Sequence, residues 1–315
     1  MTATRPFSQA FFAHGGYAID KWSQYLPVYD ALLAPLIARA APVDVLEIGV
    51  QNGGMLQLLQ GLLPAGSTLT GIDIAPACAA IAFEGAVRVV IGNAADPAVV
   101  AEAAGSRLFD LVIDDGSHRS ADVIAAFGAL IGRVKPGGTY VVEDTHCSYW
   151  PAYGGGFRAG GSAIEHFKGL IDALHADHLQ RDSVAPADRA ALDALHGLVD
   201  QVSFVDSMIV ARRAGAGGAA PHPRLFAGAQ PTVADPLEYF VSRAPPADLA
   251  NAIFAGAAAV RLPDAYIAAR GRIAALEAER NALAAELQAL RARPSRLRAG
   301  MSALRRALGL KRALP

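Results

Sequence analysis

Two acidic clusters carry the most chemistry in this chain: Asp114-Asp115-Gly116-Ser117-His118 and Glu143-Asp144-Thr145-His146. Each follows a short apolar run, so each is expected at the end of a buried strand. If those strands are neighbours in one sheet, their backbones lie about 4.8 Å apart. Carboxylates that close repel one another and raise each other's pKa unless a cation sits among them. A hard divalent ion such as Mg²⁺, bound by a few carboxylates together with substrate oxygen and water, resolves the repulsion. His118, three residues past Asp115, is placed to accept a proton beside such an ion. The bland alternative has Asp114 and Asp115 capping the next helix and Glu143 and Asp144 pairing with arginines; capping employs one acid per strand and leaves the others without a role. His146 reads as a loop residue behind the site. Cys147, with no base to orient it, reads as a bystander.

A second constellation lies upstream. Glu47-Ile48-Gly49-Val50-Gln51-Asn52-Gly53 follows the first apolar run and opens a helix. Glycines at such a turn let the backbone approach a ligand, and the helix amino terminus favours a negative group such as a carboxylate. The spacing is G-x-x-x-G, which does not reproduce the pyrophosphate cradle of G-x-G-x-x-G dinucleotide folds. Asp73, twenty residues past Gly53, ends the second run, where an acid accepts hydrogen bonds from ribose hydroxyls. Glycine turn and distant acid together point to a nucleoside-bearing ligand, although the glycines alone are equally explained as tight turns.

These residues need a frame that brings strand ends together. Apolar runs at Val43–Ile48, Thr68–Ile74, Val87–Ile91, Leu108–Ile113 and Thr139–Val142 alternate with helical spacing at Met55–Leu63 and Ser120–Val134. That alternation predicts an α/β fold with a doubly wound, mostly parallel sheet covered on both faces. Val199–Val205 and Ser207–Arg212 add an antiparallel pair, which makes seven strands. Ligands in such sheets bind beyond the carboxyl ends of the strands. Residues 1–40 read as a helical lid or substrate segment, with a helix over Tyr25–Arg39 that Pro35 kinks. The main domain is expected over residues 41–212, and within it Tyr149–Gly161 as a mobile loop followed by helices at Ala163–Ala176 and Ala185–Leu198. A linker over 213–235, rich in Ala, Gly and Pro, leads to a helical segment over 236–264. Ile273, Leu276, Leu283, Leu287 and Leu290 fall on a heptad, which predicts a short coiled coil over 265–293 and through it a possible homo-oligomer. Residues 294–315 form a basic tail.

Composition narrows the class. With 315 residues the chain can bury a core unaided, and two cysteines, Cys78 and Cys147, suit a reducing cytoplasm rather than a disulfide framework. The hydrophobic share of 53% and mean hydropathy of +0.28 raise the question of a membrane span. Every apolar stretch is broken well short of the ~20 residues that a spanning helix needs. A net charge of -1 argues against nucleic acid as a partner. That figure averages unlike parts: from Arg272 onward ten basic residues face three acidic ones, so residues 1–271 carry the acidic excess. A basic tail interleaved with leucines suits peripheral contact with an anionic inner membrane, or equally a solvated helix.

Leu46-Glu47-Ile48-Gly49-Val50-Gln51-Asn52-Gly53-Gly54, Gly71-Ile72-Asp73-Ile74, Ile113-Asp114-Asp115-Gly116-Ser117-His118 and Glu143-Asp144 with Ser148-Tyr149-Trp150 resemble the class I S-adenosylmethionine-dependent methyltransferases. More narrowly they are similar to the metal-dependent sugar O-methyltransferases of macrolide and glycan biosynthesis, of the mycinamicin deoxysugar type. The similarity covers about residues 15–212. It implies a Rossmann-like fold, S-adenosyl-L-methionine and Mg²⁺ as cofactors, and a sugar-containing acceptor. Carried over by motif, Glu47, Gly49 and Gly53 would line the methionine end of the cofactor, Asp73 the ribose and Asn93 the adenine, with Asn52, Ile74 and Asp114 beside them. Asp115, Glu143 and Asp144 would hold the metal and His118 would be the general base. Lys21, Trp22, Tyr25, Tyr149 and Trp150 would wall the acceptor pocket. One departure is Gly92-Asn93-Ala94-Ala95-Asp96-Pro97, where relatives tend to carry Asp at position 93. Four other readings stay open. These are a metal-independent methyltransferase, a dehydrogenase that would need the missing glycine pattern, an iron-dependent hydroxylase that would want two histidines among its ligands, and a non-catalytic assembly protein.

Overall fold

The computed structural model describes residues 6–179, 182, 184–215, 272, 275–276, 278–286 and 307. Two helices, α1 (Pro6–Ala13) and α2 (Tyr25–Ile37), precede the alternating region. Then come β1 (Asp44–Ile48), α3 (Gly54–Leu62), β2 (Thr68–Asp73), β3 (Val87–Ile91), α4 (Pro97–Ala104), β4 (Phe109–Asp114), α5 (Ser120–Leu130) and β5 (Val134–Val142). Helices α6 (Ala163–Leu174) and α7 (Pro186–Leu195) lead to β6 (Val199–Val205) and β7 (Met208–Arg213). The strands form one seven-stranded sheet in the order β3-β2-β1-β4-β5-β7-β6. Strands β1 to β5 pair in parallel, and β7 runs antiparallel to both β5 and β6.

Period-two alternation sends the two faces of the sheet into two cores. Val45, Leu69, Leu111, Ile113 and Val141 face α1, α2 and α3, whereas Leu46, Ile72, Val112, Tyr140 and Val142 face α5 and α6. Local chemistry starts the helices where the strands require it. Asp96 caps α4 by accepting the Ala98 N–H, with Pro97 at the first helical position. Ser162 caps α6 by accepting the Glu165 N–H, the amino-terminal half of a capping box.

The structure departs from the sequence reading in four places. Helices α1 and α4 are additional elements, the second too short to show a helical period. The segment around Pro136 to Gly138 is not a turn before a strand but part of β5, whose pairing with β4 shifts register between Phe109 and Leu111. Gly138 is required there because a Cβ would lie 2.9 Å from the Asp110 carbonyl oxygen. Tyr149–Gly161, expected as a mobile loop, is tied to itself: Gly155 N–H donates to the Trp150 carbonyl and Gly156 N–H to the Ser148 carbonyl. Helix α2 contains Pro35, as expected, but ends at Ile37, two residues short of Arg39.

The chain divides into two units, Met1–Ala220 and Pro221–Pro315. Of the second, residues 278–286 are helical, with Leu276 and Leu283 exposed. Ile273, Leu287 and Leu290, the remaining heptad positions, lie outside the described residues, as do residues 216–235 of the expected linker, the 236–264 segment and nearly all of the basic tail; Arg213, expected to open the linker, instead ends β7. No helix among the described residues is long and apolar enough to cross a membrane.

Phe127 holds the α5–α6 side of the core, with ring centroids 5.2 Å from Tyr140 and 4.9 Å from Phe167. It is 1% exposed, so Phe127→Ala leaves a cavity between helix and sheet. The expected loss is about 3–5 kcal/mol, read as the shift in a denaturant unfolding midpoint.

Candidate active site at the carboxyl ends of the strands

Register brings the functional residues to one edge. Ile48 pairs with Ile72 and Asp114, and Asp114 with Val142, so Gly49, Asp73, Asp115 and Glu143 all emerge together. The chain order reverses between β1 and β4, the switch point at which open α/β sheets bind ligands. A cavity of about 330 Å³ opens there, and Glu47, Gly49, Asp73, Ile74, Asn93 and Asp114 line it. Asn52 and Gly53 are not in that lining: Asn52 is exposed, and Gly53 makes the left-handed turn into α3. Gly49 has a φ of +87°, and a Cβ on it would meet the Asp115 carbonyl oxygen at 2.0 Å. Glycine at 49 therefore lets the β1 and β4 turns touch. Asp73 accepts the Gln51 N–H at 2.9 Å and the Ala75 N–H at 2.8 Å, which fastens β2 to the same turn. Glu47 is 1% exposed, and its Oε2 has no hydrogen-bond partner among the described residues. Burial pushes its carboxyl well above the usual range, although the Lys21 charge opposes this.

The acids meet as expected, with one cation among them that comes from the chain itself. Lys21 Nζ lies 2.5 Å from Asp115 Oδ2 and 3.0 Å from Glu143 Oε2, and its side chain is 3% exposed. Burial works against that ammonium, but Glu143, Asp115 and Glu47 more than offset it and hold the lysine above its ordinary value. The other Glu143 oxygen accepts the Tyr29 hydroxyl. Tyr25, one turn earlier on α2, lies with its hydroxyl 2.8 Å from Asp144 Oδ1 and accepts the Asp144 N–H. Trp22 Nε1 donates to the same carboxylate oxygen at 3.0 Å.

Those bonds leave Asp115 Oδ1, Asp144 Oδ2 and His118 Nε2 facing one another. The imidazole nitrogen is 4.0 Å from the first and 3.6 Å from the second, and one ligand atom from each residue fits within 4.8 Å. Two carboxylate oxygens beside water-accessible space suit a hard divalent ion. Glu143, the third residue anticipated as a ligand, sits behind them, 2% exposed and bonded through both oxygens. His118 and Asp144 both adopt left-handed backbone conformations, φ 56° and 50°. Left-handed backbone is uncommon outside glycine, although Asp and His adopt it more readily than most, and with Gln51 at φ 49° three such residues line the cavity. Burial raises Glu143 to about 7 against the pull of Lys21. Asp114 also rises to about 7, chiefly through burial, while the Gly116 N–H and the Tyr140 hydroxyl act in the other direction.

A second cavity, of about 350 Å³, adjoins the first at the 20–25 segment. Trp22, Tyr25 and Glu143 line it, and it shares Asp20, Lys21, Asp115 and Asp144 with the first. Of the residues anticipated as acceptor walls, Lys21 and Tyr25 are buried at its base, while Tyr149 and Trp150 are partly exposed outside it. His146 bridges the aromatics, its ring centroid 4.9 Å from Trp150 and 5.9 Å from Trp22, and its Nδ1 contacts Ser207 Oγ. Cys147 is buried and its thiol is pushed up by that burial, which keeps it a thiol. Sequence reasoning missed Tyr29, whose four-residue spacing from Tyr25 was the available signal, and Tyr140, which carries none.

Residues 46–145 match the family model described as a methyltransferase domain. The chain is 38% identical over 195 residues to the 8-demethyl-8-alpha-L-rhamnosyl tetracenomycin-C 2'-O-methyltransferase of Streptomyces olivaceus, covering 56% of this chain and 49% of that protein. To the demethylmacrocin O-methyltransferase of Streptomyces fradiae it is 35% identical over 181 residues, 53% of this chain and 45% of that one. Among solved structures, the MycE methyltransferase from the mycinamycin biosynthetic pathway, in complex with Mg, SAH and mycinamycin VI, superposes with a TM-score of 0.55. It is 28% identical and covers 70% of this chain and 57% of its own. The chain thus spans about half the length of the curated relatives it matches. Its fold is the Rossmann-like fold of S-adenosylmethionine-dependent methyltransferases.

The buried Asp114 carboxyl makes stability depend on pH. Because its folded pKa of about 7 exceeds the ordinary 3.8, its protonated form favours the folded state. That contribution is present at low pH and is lost as pH rises through about 7. Asp114→Asn cannot ionise. Between pH 5 and pH 8 the wild type should lose several degrees of Tm more than D114N, and parallel Tm profiles would show that Asp114 does not titrate in this window.

Proposed function

We propose that the chain acts as an S-adenosylmethionine-dependent O-methyltransferase on a sugar hydroxyl of a glycosylated acceptor, assisted by a divalent ion such as Mg²⁺. The observation that carries this reading is the convergence of His118, Asp115 and Asp144, with the two acids lining both cavities and His118 lining the first. One cavity has the glycine turn and ribose-type acid of a nucleoside site, and the other is lined by an indole and a phenol suited to a sugar ring. The similarity to sugar O-methyltransferases supports the same assignment.

A sugar hydroxyl is barely ionised at neutral pH and needs its proton removed as the new bond forms. His118, whose side chain is 22% exposed, would take that proton on Nε2. Asp144 Oδ2, at 3.6 Å, would stabilise the imidazolium that results. Asp115 and Asp144 would hold the ion, with Glu143 as the third carboxylate anticipated for it; a bound divalent ion supplies a lowered pKa for a coordinated alcohol. Glu47, Gly49 and the Asp73 edge would hold the methyl donor, leaving in-line alignment as the remaining catalytic work. S-adenosylmethionine supplies the methyl group as an activated sulfonium. Trp22, Tyr149 and Trp150 would orient the acceptor and exclude water.

The direct test is incubation with S-adenosylmethionine and a rhamnosylated aglycone, with transfer of the methyl group followed by mass spectrometry. His118→Ala should lower kcat by at least about a hundredfold while cofactor affinity, read by calorimetry, stays within about twofold. A base that is not a ligand also leaves Mn²⁺ affinity unchanged in this variant, whereas a loss of Mn²⁺ binding would make His118 a ligand instead. Asp115→Ala should abolish stimulation by Mg²⁺, and full activity of the chelator-treated wild type would remove the metal from the scheme.

A further inference from the structure

Lys21 is the feature of this site that the proposed chemistry leaves unused. It is not an open wall of the acceptor pocket, because its ammonium is buried between Asp115 and Glu143. It also lies on an irregular stretch, residues 14–24, that is fastened at two points. At one end the Tyr17 N–H donates to Gln57 Oε1 and the Tyr17 hydroxyl to the Ala82 carbonyl. Ala18 passes so close to α3 that a Cβ on Gly54 would lie 2.3 Å from its carbonyl oxygen. At the other end the fastening is Lys21 on the acids, with Trp22 on Asp144. The stretch therefore crosses the rim with its cation inserted among carboxylates that suit a divalent ion.

We propose that Lys21 is a resident counter-cation of this cluster and that a divalent ion entering it competes with the ammonium for Asp115 and Glu143. The inference rests on the metal-assisted reading above. Both Glu143 oxygens are already engaged, one by Lys21 and one by Tyr29, and one of the two Asp115 oxygens holds Lys21. A metal that recruits the Glu143 oxygen bonded to Lys21 competes with the ammonium for it, and a metal that uses only Asp115 and Asp144 still feels a full positive charge one carboxylate away. In either case the lysine weakens metal binding, and metal loading loosens the clasp that holds residues 20–22 on the rim.

The experiment is a Mn²⁺ titration of the full chain at pH 8, with free Mn²⁺ read by electron paramagnetic resonance, on the wild type, Lys21→Met and Lys21→Arg. Methionine is an unbranched side chain one atom shorter and without charge, so K21M should bind Mn²⁺ at least tenfold more tightly than the wild type, and K21R no more tightly than the wild type. Lys21→Gln serves in place of K21M should the latter fail to fold by circular dichroism. In the wild type, Mn²⁺ should also change the fluorescence of Trp22, isolated with Trp150→Phe, as its neighbour leaves the acids. Equal or weaker Mn²⁺ binding in a folded, uncharged variant overturns the proposal and leaves the methyltransferase reading standing. Absence of Mn²⁺ binding in every variant overturns both this proposal and the metal-assisted reading, while S-adenosylmethionine binding by calorimetry tests the methyltransferase assignment separately.

Discussion

Burying three carboxyls at the ends of three adjacent strands is the constraint around which the molecule is arranged. Glu47 on β1, Asp114 on β4 and Glu143 just past β5 are 1%, 4% and 2% exposed. An ionised carboxylate taken from water into an interior costs several kcal/mol unless a partner compensates. Each acid meets that cost differently. Glu143 is bonded by Lys21 and Tyr29, and Asp114 by Tyr140 and the Gly116 N–H. Glu47 Oε2 has no direct partner among the described residues and relies on the charge of Lys21 nearby. The amino-terminal segment is therefore part of the active edge. Helix α2 lies where Tyr25 and Tyr29, one turn apart, reach consecutive acids of the β5 end, and the 14–24 stretch is held where Lys21 can enter the cluster.

Much of this was legible because parallel sheets impose their own logic. Short apolar runs separated by crossover lengths leave little freedom in topology, and the acids that follow those runs must then share an edge. Asp115, His118 and Asp144 could be brought together from sequence for that reason, without any contact being visible. The turn at Glu47–Gly53 and the acid at Asp73 were legible from their spacing, the resemblance to methyltransferases added Asn93, and the first cavity is lined by Glu47, Gly49, Asp73 and Asn93. Strand ends shifted by no more than a residue, except where β5 begins, since a bulge containing Pro136 and two glycines carries the same residue types as a turn.

The role of Lys21 was not legible, for a physical reason. Nothing local marks a lysine 94 residues from Asp115 and 122 from Glu143 as buried; lysine is ordinarily a surface residue, and only the assembled cluster makes burial of its charge favourable. Glu143 posed the converse difficulty. Its type and position match a metal ligand, but whether its oxygens are free depends on Tyr29 and Lys21, which come from elsewhere in the chain. Asn52 and Gly53 show how a motif can be right as a unit while its members divide the work: Gly49 and Glu47 face the cavity, whereas Gly53 serves the turn.

Charge at the rim links these observations to the chemistry. Glu47, Asp115, Glu143 and Asp144 would bring four negative charges to a space that holds one ammonium, a surplus that repulsion and burial make costly. Burial above all, with a smaller contribution from the neighbouring acids, raises the pKa values of Glu47 and Glu143 and gives them an affinity for protons. Any other cation brought to the rim is bound in competition with those protons, so its binding strengthens as pH rises and releases protons as it occurs. On the proposed reading, a divalent ion and a sulfonium together would carry the charge that four ionised acids and one lysine leave unmatched. The same arithmetic explains why the acids need not all be ligands: Glu47 contributes to the field from behind the glycine turn, and Glu143 contributes through the residue it anchors. Charge balance among side chains drawn from both ends of the fold thus determines which cations the edge accepts.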